Sequence, residues 1–110
     1  MATIYKVLGQ SSLTAETNTD VYTVPSATSA VISTIVICNR ASSANTFRIA
    51  VRPDGATLAN EHFLAYDVSL SANDSTTLTL GITLDAGDVI TARSGASALI
   101  SVNIFGSEIS

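Results

Sequence analysis

Only one histidine, His62, and one cysteine, Cys38, stand among the 110 residues of this chain, and most nucleophilic or metal-assisted chemistry would have to pass through them. A Ser-His-Asp or Cys-His arrangement needs His62 as its base. With 15 serines and 14 threonines present, a hydroxyl near that imidazole carries no information. Zinc needs several His, Cys or carboxylate ligands gathered at one point, which leaves only a site built from His62 copies about a symmetry axis. A lone histidine at a strand start reads more simply as a partly exposed hydrogen-bonding group. Cys38, inside Ile35-Val36-Ile37-Cys38-Asn39, reads as a small buried hydrophobe rather than a reactive thiolate. The sequence thus offers no catalytic residue, no metal ligand set and no cofactor site.

Carboxylates give the same answer. Asp85 and Asp88 flank one turn, and paired carboxylates do acid and base work in glycoside hydrolysis, but Asp and Gly are also what such a turn requires of its backbone. Asp54, Asp67 and Asp74 fall near similar turns. No segment has the acidic spacing of a calcium loop or a glycine-rich phosphate cradle. One charged pattern remains: Arg48 and Arg52 alternate with Phe47, Ile49 and Val51 and project together from the face opposite the core. Arginine's planar fork pairs with carboxylates bidentately and is enriched at interfaces. Arg48 and Arg52 are therefore the candidate subunit-interface residues, facing an Asp or Glu of a neighbouring subunit. The alternative is a solvated strand face, where an ion pair contributes under about 1 kcal/mol.

The elements that would carry these residues are strands. Thr77-Leu78-Thr79-Leu80-Gly81-Ile82-Thr83-Leu84 alternates at a period of two, the pattern of a strand with one face in a core, and no segment has the 3.6-residue spacing of a helix. About eight short strands follow: Thr3 to Leu8, Val21 to Val24, Ala30 to Arg40, Thr46 to Arg52, His62 to Leu70, Ser75 to Leu84, Val89 to Arg93 and Ala98 to Phe105. Gln10 to Asp20 reads as a polar loop with no core pattern, and Ala56 to Glu61 as irregular or a single helical turn. Ala30 to Arg40 is apolar on both alternate sets and reads as a central strand covered on both faces. Gly81 reads as a bend or bulge, and Gly106 to Ser110 as a short tail. Short strands with turns about every ten residues predict an all-β antiparallel sandwich of jelly-roll-like type, with residues 1–110 as one domain.

Composition says what such a sandwich is for. Aromatics are 5% and tryptophan is absent, so the core is thin and association with other subunits is a common remedy. Charged residues are 13%, about half the usual share, leaving a hydroxyl- and alanine-rich surface suited to dry, extended protein contacts. A net charge of −4 argues against binding a phosphate backbone, which needs clustered Lys and Arg. No run has the length of a signal peptide or a membrane span. One cysteine cannot form an internal disulfide, as a reducing compartment would require.

Met1-Ala2-Thr3-Ile4-Tyr5-Lys6-Val7-Leu8-Gly9-Gln10, Val21-Tyr22-Thr23-Val24-Pro25 and Ala30-Val31-Ile32-Ser33-Thr34-Ile35-Val36-Ile37-Cys38-Asn39-Arg40 together resemble a family of small virion proteins of tailed phages, prominent among cyanophages. Phe47-Arg48-Ile49-Ala50-Val51-Arg52-Pro53 and Phe105-Gly106-Ser107-Glu108-Ile109 extend the likeness over nearly the whole chain. The resemblance implies a structural component of the phage particle, assembled in the host cytoplasm, present in many copies and attached to the capsid, neck or tail. Its partners would be copies of itself and other virion proteins, not nucleic acid or membrane, and it brings no catalytic residues with it. The leading expectation is a non-enzymatic protein that oligomerises and decorates or cements the capsid or the neck and tail apparatus. A receptor- or glycan-binding module is the alternative, weakened by the scarcity of aromatic rings on which sugars stack. A small hydrolase using His62 comes third.

Overall fold

Side chains that alternate in polarity along an extended chain end up on opposite faces of a sheet, and here two sheets bury one face of each against the other. The computed structural model describes residues 2–110 and contains β1 (Thr3–Ser12), β2 (Thr19–Thr23), β3 (Ser29–Asn39), β4 (Asn45–Arg52), β5 (Phe63–Leu70), β6 (Ser75–Leu78), β7 (Ile82–Leu84), β8 (Val89–Ser94) and β9 (Ile100–Ile109). Five strands form one sheet, ordered β1-β9-β3-β6 with β7 also paired to β3, and four form the other, ordered β2-β8-β4-β5. The chain changes sheet at every connection except β4 to β5 and β6 to β7, and its first strand lies beside its last. This is the all-β sandwich of two antiparallel sheets that the strand pattern predicts, with nine strands among the described residues where about eight were expected.

The core is aliphatic. Ile32, Ile35 and Ile37 of β3 and Ile100, Val102 and Ile104 of β9 meet Phe47 and Ile49 of β4 and Ile90 and Ala92 of β8. Leu13 joins them at 1% exposure, so the stretch expected to be a loop without core residues supplies one; a single apolar residue among polar ones has no periodicity to reveal it. β1 likewise runs on through Gly9 to Ser12. The expected tail is strand, because β9 is paired on both sides out to Ile109, which faces Thr3 and Ser29. The alternating segment 75–84 splits into β6 and β7 at Gly81, whose φ of 66° leaves the extended region.

These irregularities share one line. β1 has its extra residue at Leu8, between Val7 and Gly9, and β3 has its own at Ser33, between Ile32 and Thr34. The gap between β6 and β7 falls opposite the same part of β3. A crease therefore crosses the five-stranded sheet through Phe105, which pairs with Val7 and with Thr34. Gly106 sits on it, where a Cβ would collide with the Val31 carbonyl oxygen; glycine is what lets β3 and β9 approach so closely.

Candidate functional site

On either side of the crease, the outer face of the five-stranded sheet has a different character. Towards β6, Gln10 Nε2 donates to Asn103 Oδ1 at 2.7 Å, and Arg40 donates to the hydroxyls of Ser101 at 2.8 Å and Ser12 at 2.7 Å. The polar groups there satisfy one another. Towards β7 the rows read Tyr5–Ser107–Val31 and Val7–Phe105–Thr34. Tyr5 is 84% exposed, Val7 47% and Val31 39%, with Ile4 at the rim. Here the double-sided apolar run of β3 lacks the outer cover its sequence predicts. A groove of ≈ 550 Å³ lies among Tyr5, Lys6, Val7, Val31, Phe105 and Gly106.

Beneath that half-face a polar link joins the two sheets. Tyr22 of β2 donates its hydroxyl to Glu108 Oε2 of β9 at 2.6 Å, and Lys6 Nζ of β1 reaches Glu108 Oε1 at 2.8 Å. The bond from Lys6, followed by that from Tyr22, holds the Glu108 carboxyl below its ordinary range. Burial, reinforced by the neighbouring carboxylate, pushes the Tyr22 phenol well above its own.

Both arginines singled out by sequence lie on the outer side of the four-stranded sheet, and both find partners within the chain. Arg48 forks onto Asp67, Nε to Oδ1 at 2.7 Å and Nη2 to Oδ2 at 3.1 Å, and lies over the Tyr66 ring with Cζ 4.1 Å from its centre. Their mutual hydrogen bond raises the Arg48 pKa and lowers that of Asp67. Arg52 donates to Thr91 Oγ1, to the carbonyls of Gly55 and Ala56, and to Asp20 Oδ1. It holds the Pro53–Gly55 turn onto the sheet, where Ala50, Val89 and Thr91 are buried outside the core cluster.

The residues of possible chemistry are apart from one another. His62 Nδ1 accepts from the Ala59 amide at 3.0 Å, closing the single 3₁₀ turn Asn60–His62. Cys38 is half-buried on the outer face rather than in the core, because its register partners Ser75 and Ser101 place it there. Asp88 uses both carboxylate oxygens on the Asp54 and Asp85 amides at 2.8 Å, a turn-building role. Sequence reading passed over Asn39, which is fully buried. Its amide donates to the carbonyls of Ser43, Leu70 and Ser71 while its oxygen accepts from Ala41, fixing two loops. An asparagine ending an apolar run was the available signal.

Comparison with protein-family models and with curated proteins finds no match. A solved structure described as a pentameric capsid protein isolated from metagenomic phage sequences is similar over 96% of this chain at 22% identity, with a TM-score of 0.33. The chain spans 59% of that protein's length.

Proposed function

We propose that this chain is a non-enzymatic structural component of a phage particle, which self-associates and decorates or cements the capsid or the neck and tail apparatus. The observation that carries this reading is the uncovered apolar half-face of Tyr5, Val7 and Val31, in a chain with only 13% charged residues. Contiguous exposed apolar surface of this kind marks interaction sites, and few ionic groups stand around it to be desolvated on contact. The virion setting is supported by the sequence resemblance over nearly the whole chain. Arg48, part-exposed over Tyr66 on the opposite outer face of the sandwich, belongs in this reading to a separate contact from the apolar half-face, while Arg52 acts by holding the Pro53–Gly55 turn in place.

A receptor- or glycan-binding module draws some support from the exposed Tyr5 ring beside a groove. Beside Val7, Val31 and Phe105 the groove's polar lining is Lys6, Ser33 and Ser107, without the amides and carboxylates that bracket sugar hydroxyls, which favours a protein partner; a silent glycan array would end that alternative. The main reading is tested by sedimentation velocity across a concentration series, together with co-sedimentation with particles lacking this protein. Self-association and particle binding are expected for the wild type. A strict monomer that also leaves the particles bare would contradict it.

A further inference from the structure

The long edge of the five-stranded sheet is β1, which pairs with β9 on one side and with no other strand among the described residues. Ala2 and Ser110 exchange both of their backbone hydrogen bonds, at 2.7 and 2.9 Å. Bonded and non-bonded pairs alternate along an antiparallel ladder, so Ile4 with Glu108 and Lys6 with Gly106 are the bonded pairs that follow. The N–H and C=O groups of Thr3, Tyr5 and Val7 therefore point away from β9, and the run from Thr3 to Val7 is exposed throughout. Sheet edges are ordinarily blunted against further pairing, and the other edges here are. β6 and β7 have 4 and 3 residues, β2 has 5 with a register shift between Asp20 and Tyr22, and β5 leaves the extended region at Asp67. The stretch from Thr3 to Val7 has no proline, no bulge and no positive φ. Its one charge, Lys6, would guard the edge if it stood free, but it is tied to Glu108 at 2.8 Å.

The spacing of this edge matches its own copy. Outward groups at Thr3, Tyr5 and Val7 are symmetric about Tyr5, so a second chain running antiparallel about a two-fold axis meets them in register, Tyr5 against Tyr5 and Thr3 against Val7. Each such pair exchanges both hydrogen bonds, and Lys6 falls opposite Ile4. An axis at Lys6 gives one bonded pair fewer, because the bulge at Leu8 ends the run, and sets the two lysines against each other, which is unfavourable. We propose that the Thr3 to Val7 edge is a strand-addition site whose occupant is a second copy of this chain, the two five-stranded sheets joining through antiparallel β1 strands. This rests on the reading that the chain self-associates. The contact uses the same patch on both copies, so it closes at two. It sets the two half-faces of Tyr5, Val7 and Val31 side by side on one side of the joined sheet, as a doubled apolar surface turned to the particle.

Residue-resolved amide exchange across a protein concentration series reads this pairing. The Tyr5 and Val7 amides should exchange fast in dilute protein and slow by about tenfold or more once copies associate, whereas those of Ile4 and Lys6, bonded to β9, are protected in both. Thr3→Pro removes one outward donor from each copy at a strand start, where proline is tolerated. It should weaken association by about tenfold, with circular dichroism confirming the fold, while Thr3→Val keeps the donor and should associate like the wild type. In a Cys38→Ser background, Tyr5→Cys should cross-link to its own copy on oxidation, and Thr3→Cys should link to Val7→Cys far more than to itself. An associating wild type whose Tyr5 and Val7 amides stay fast, or Thr3→Cys linking only to itself, overturns the edge pairing while leaving self-association standing. Protection that appears only when particles are added overturns the second copy as occupant. A wild type that is monomeric at every concentration removes the self-association reading and this site with it.

Discussion

The outer faces of the two sheets handle apolar residues in opposite ways. On the four-stranded sheet, Ala50, Val89 and Thr91 are buried although they lie outside the core cluster. The Pro53–Gly55 turn folds back against β8, and Arg52 holds it there through Thr91 and the Gly55 and Ala56 carbonyls. On the five-stranded sheet above the crease, Tyr5, Val7 and Val31 have no such cover. Nothing in residue type separates Val89 from Val31. What separates them is whether a neighbouring connection crosses the face: the turn after β4 lies over β8 and covers Val89, while among the described residues no connection is laid over Val31, so an outward valine is inner packing in one place and contact surface in the other.

The largest effect on that contrast should come from opening the closed face. Arg52→Ala removes four hydrogen-bonding arrangements from a side chain only 17% exposed. It should cost about 2–3 kcal/mol in urea denaturation and speed amide exchange across residues 53–62. A change below about 0.5 kcal/mol would mean that the covering turn stands without it.

Next is the link beneath the open half-face. Tyr22→Phe should cost about 1 kcal/mol at neutral pH, read from a denaturation curve. The pH dependence carries the sign of each shift. Glu108 has its folded pKa depressed from 4.5, so its contribution is present above that value and lost as acid takes the pH down through the folded pKa. Tyr22 has its folded pKa raised from 10.0, so its contribution is present below that value and lost as pH climbs beyond it. Wild-type melting temperature should fall at both extremes, and Tyr22→Phe should abolish the alkaline part.

Smaller still is Asp67→Asn, which removes an exposed, salt-screened ion pair and should shift the thermal melt only slightly, and less again at high salt. The least effect on the folded chain belongs to Val31→Asp, within about 0.5 kcal/mol in thermal melts because the side chain points to solvent. If the comparison of faces holds, that substitution should nonetheless remove self-association or particle binding.

Much of this contrast was written in the residues, and some was not. The period-two runs gave the strands, and the apolar set of β9, Ile100, Val102 and Ile104, falls in the core as its alternation predicts. The doubled apolar set of β3 correctly marked a central strand, but whether its second face is covered depends on chain outside the strand, which alternation does not encode. The partners of Arg48 and Arg52 were equally hidden. Asp67 reaches Arg48 from a bulged position with φ of 50°, and Asp20 reaches Arg52 from the far side of the sheet order. Leu13 and the extended β9 were missed because each depends on pairing or burial set by distant segments, not by neighbouring residues.

Hydroxyl-radical footprinting of Tyr5 tests the central claim most directly. The account predicts that Tyr5 is modified readily in dilute protein and in Val31→Asp, and is protected in the assembled or particle-bound wild type, while Leu99, exposed on a loop, is modified equally throughout. Equal modification of Tyr5 in free and assembled protein would contradict it.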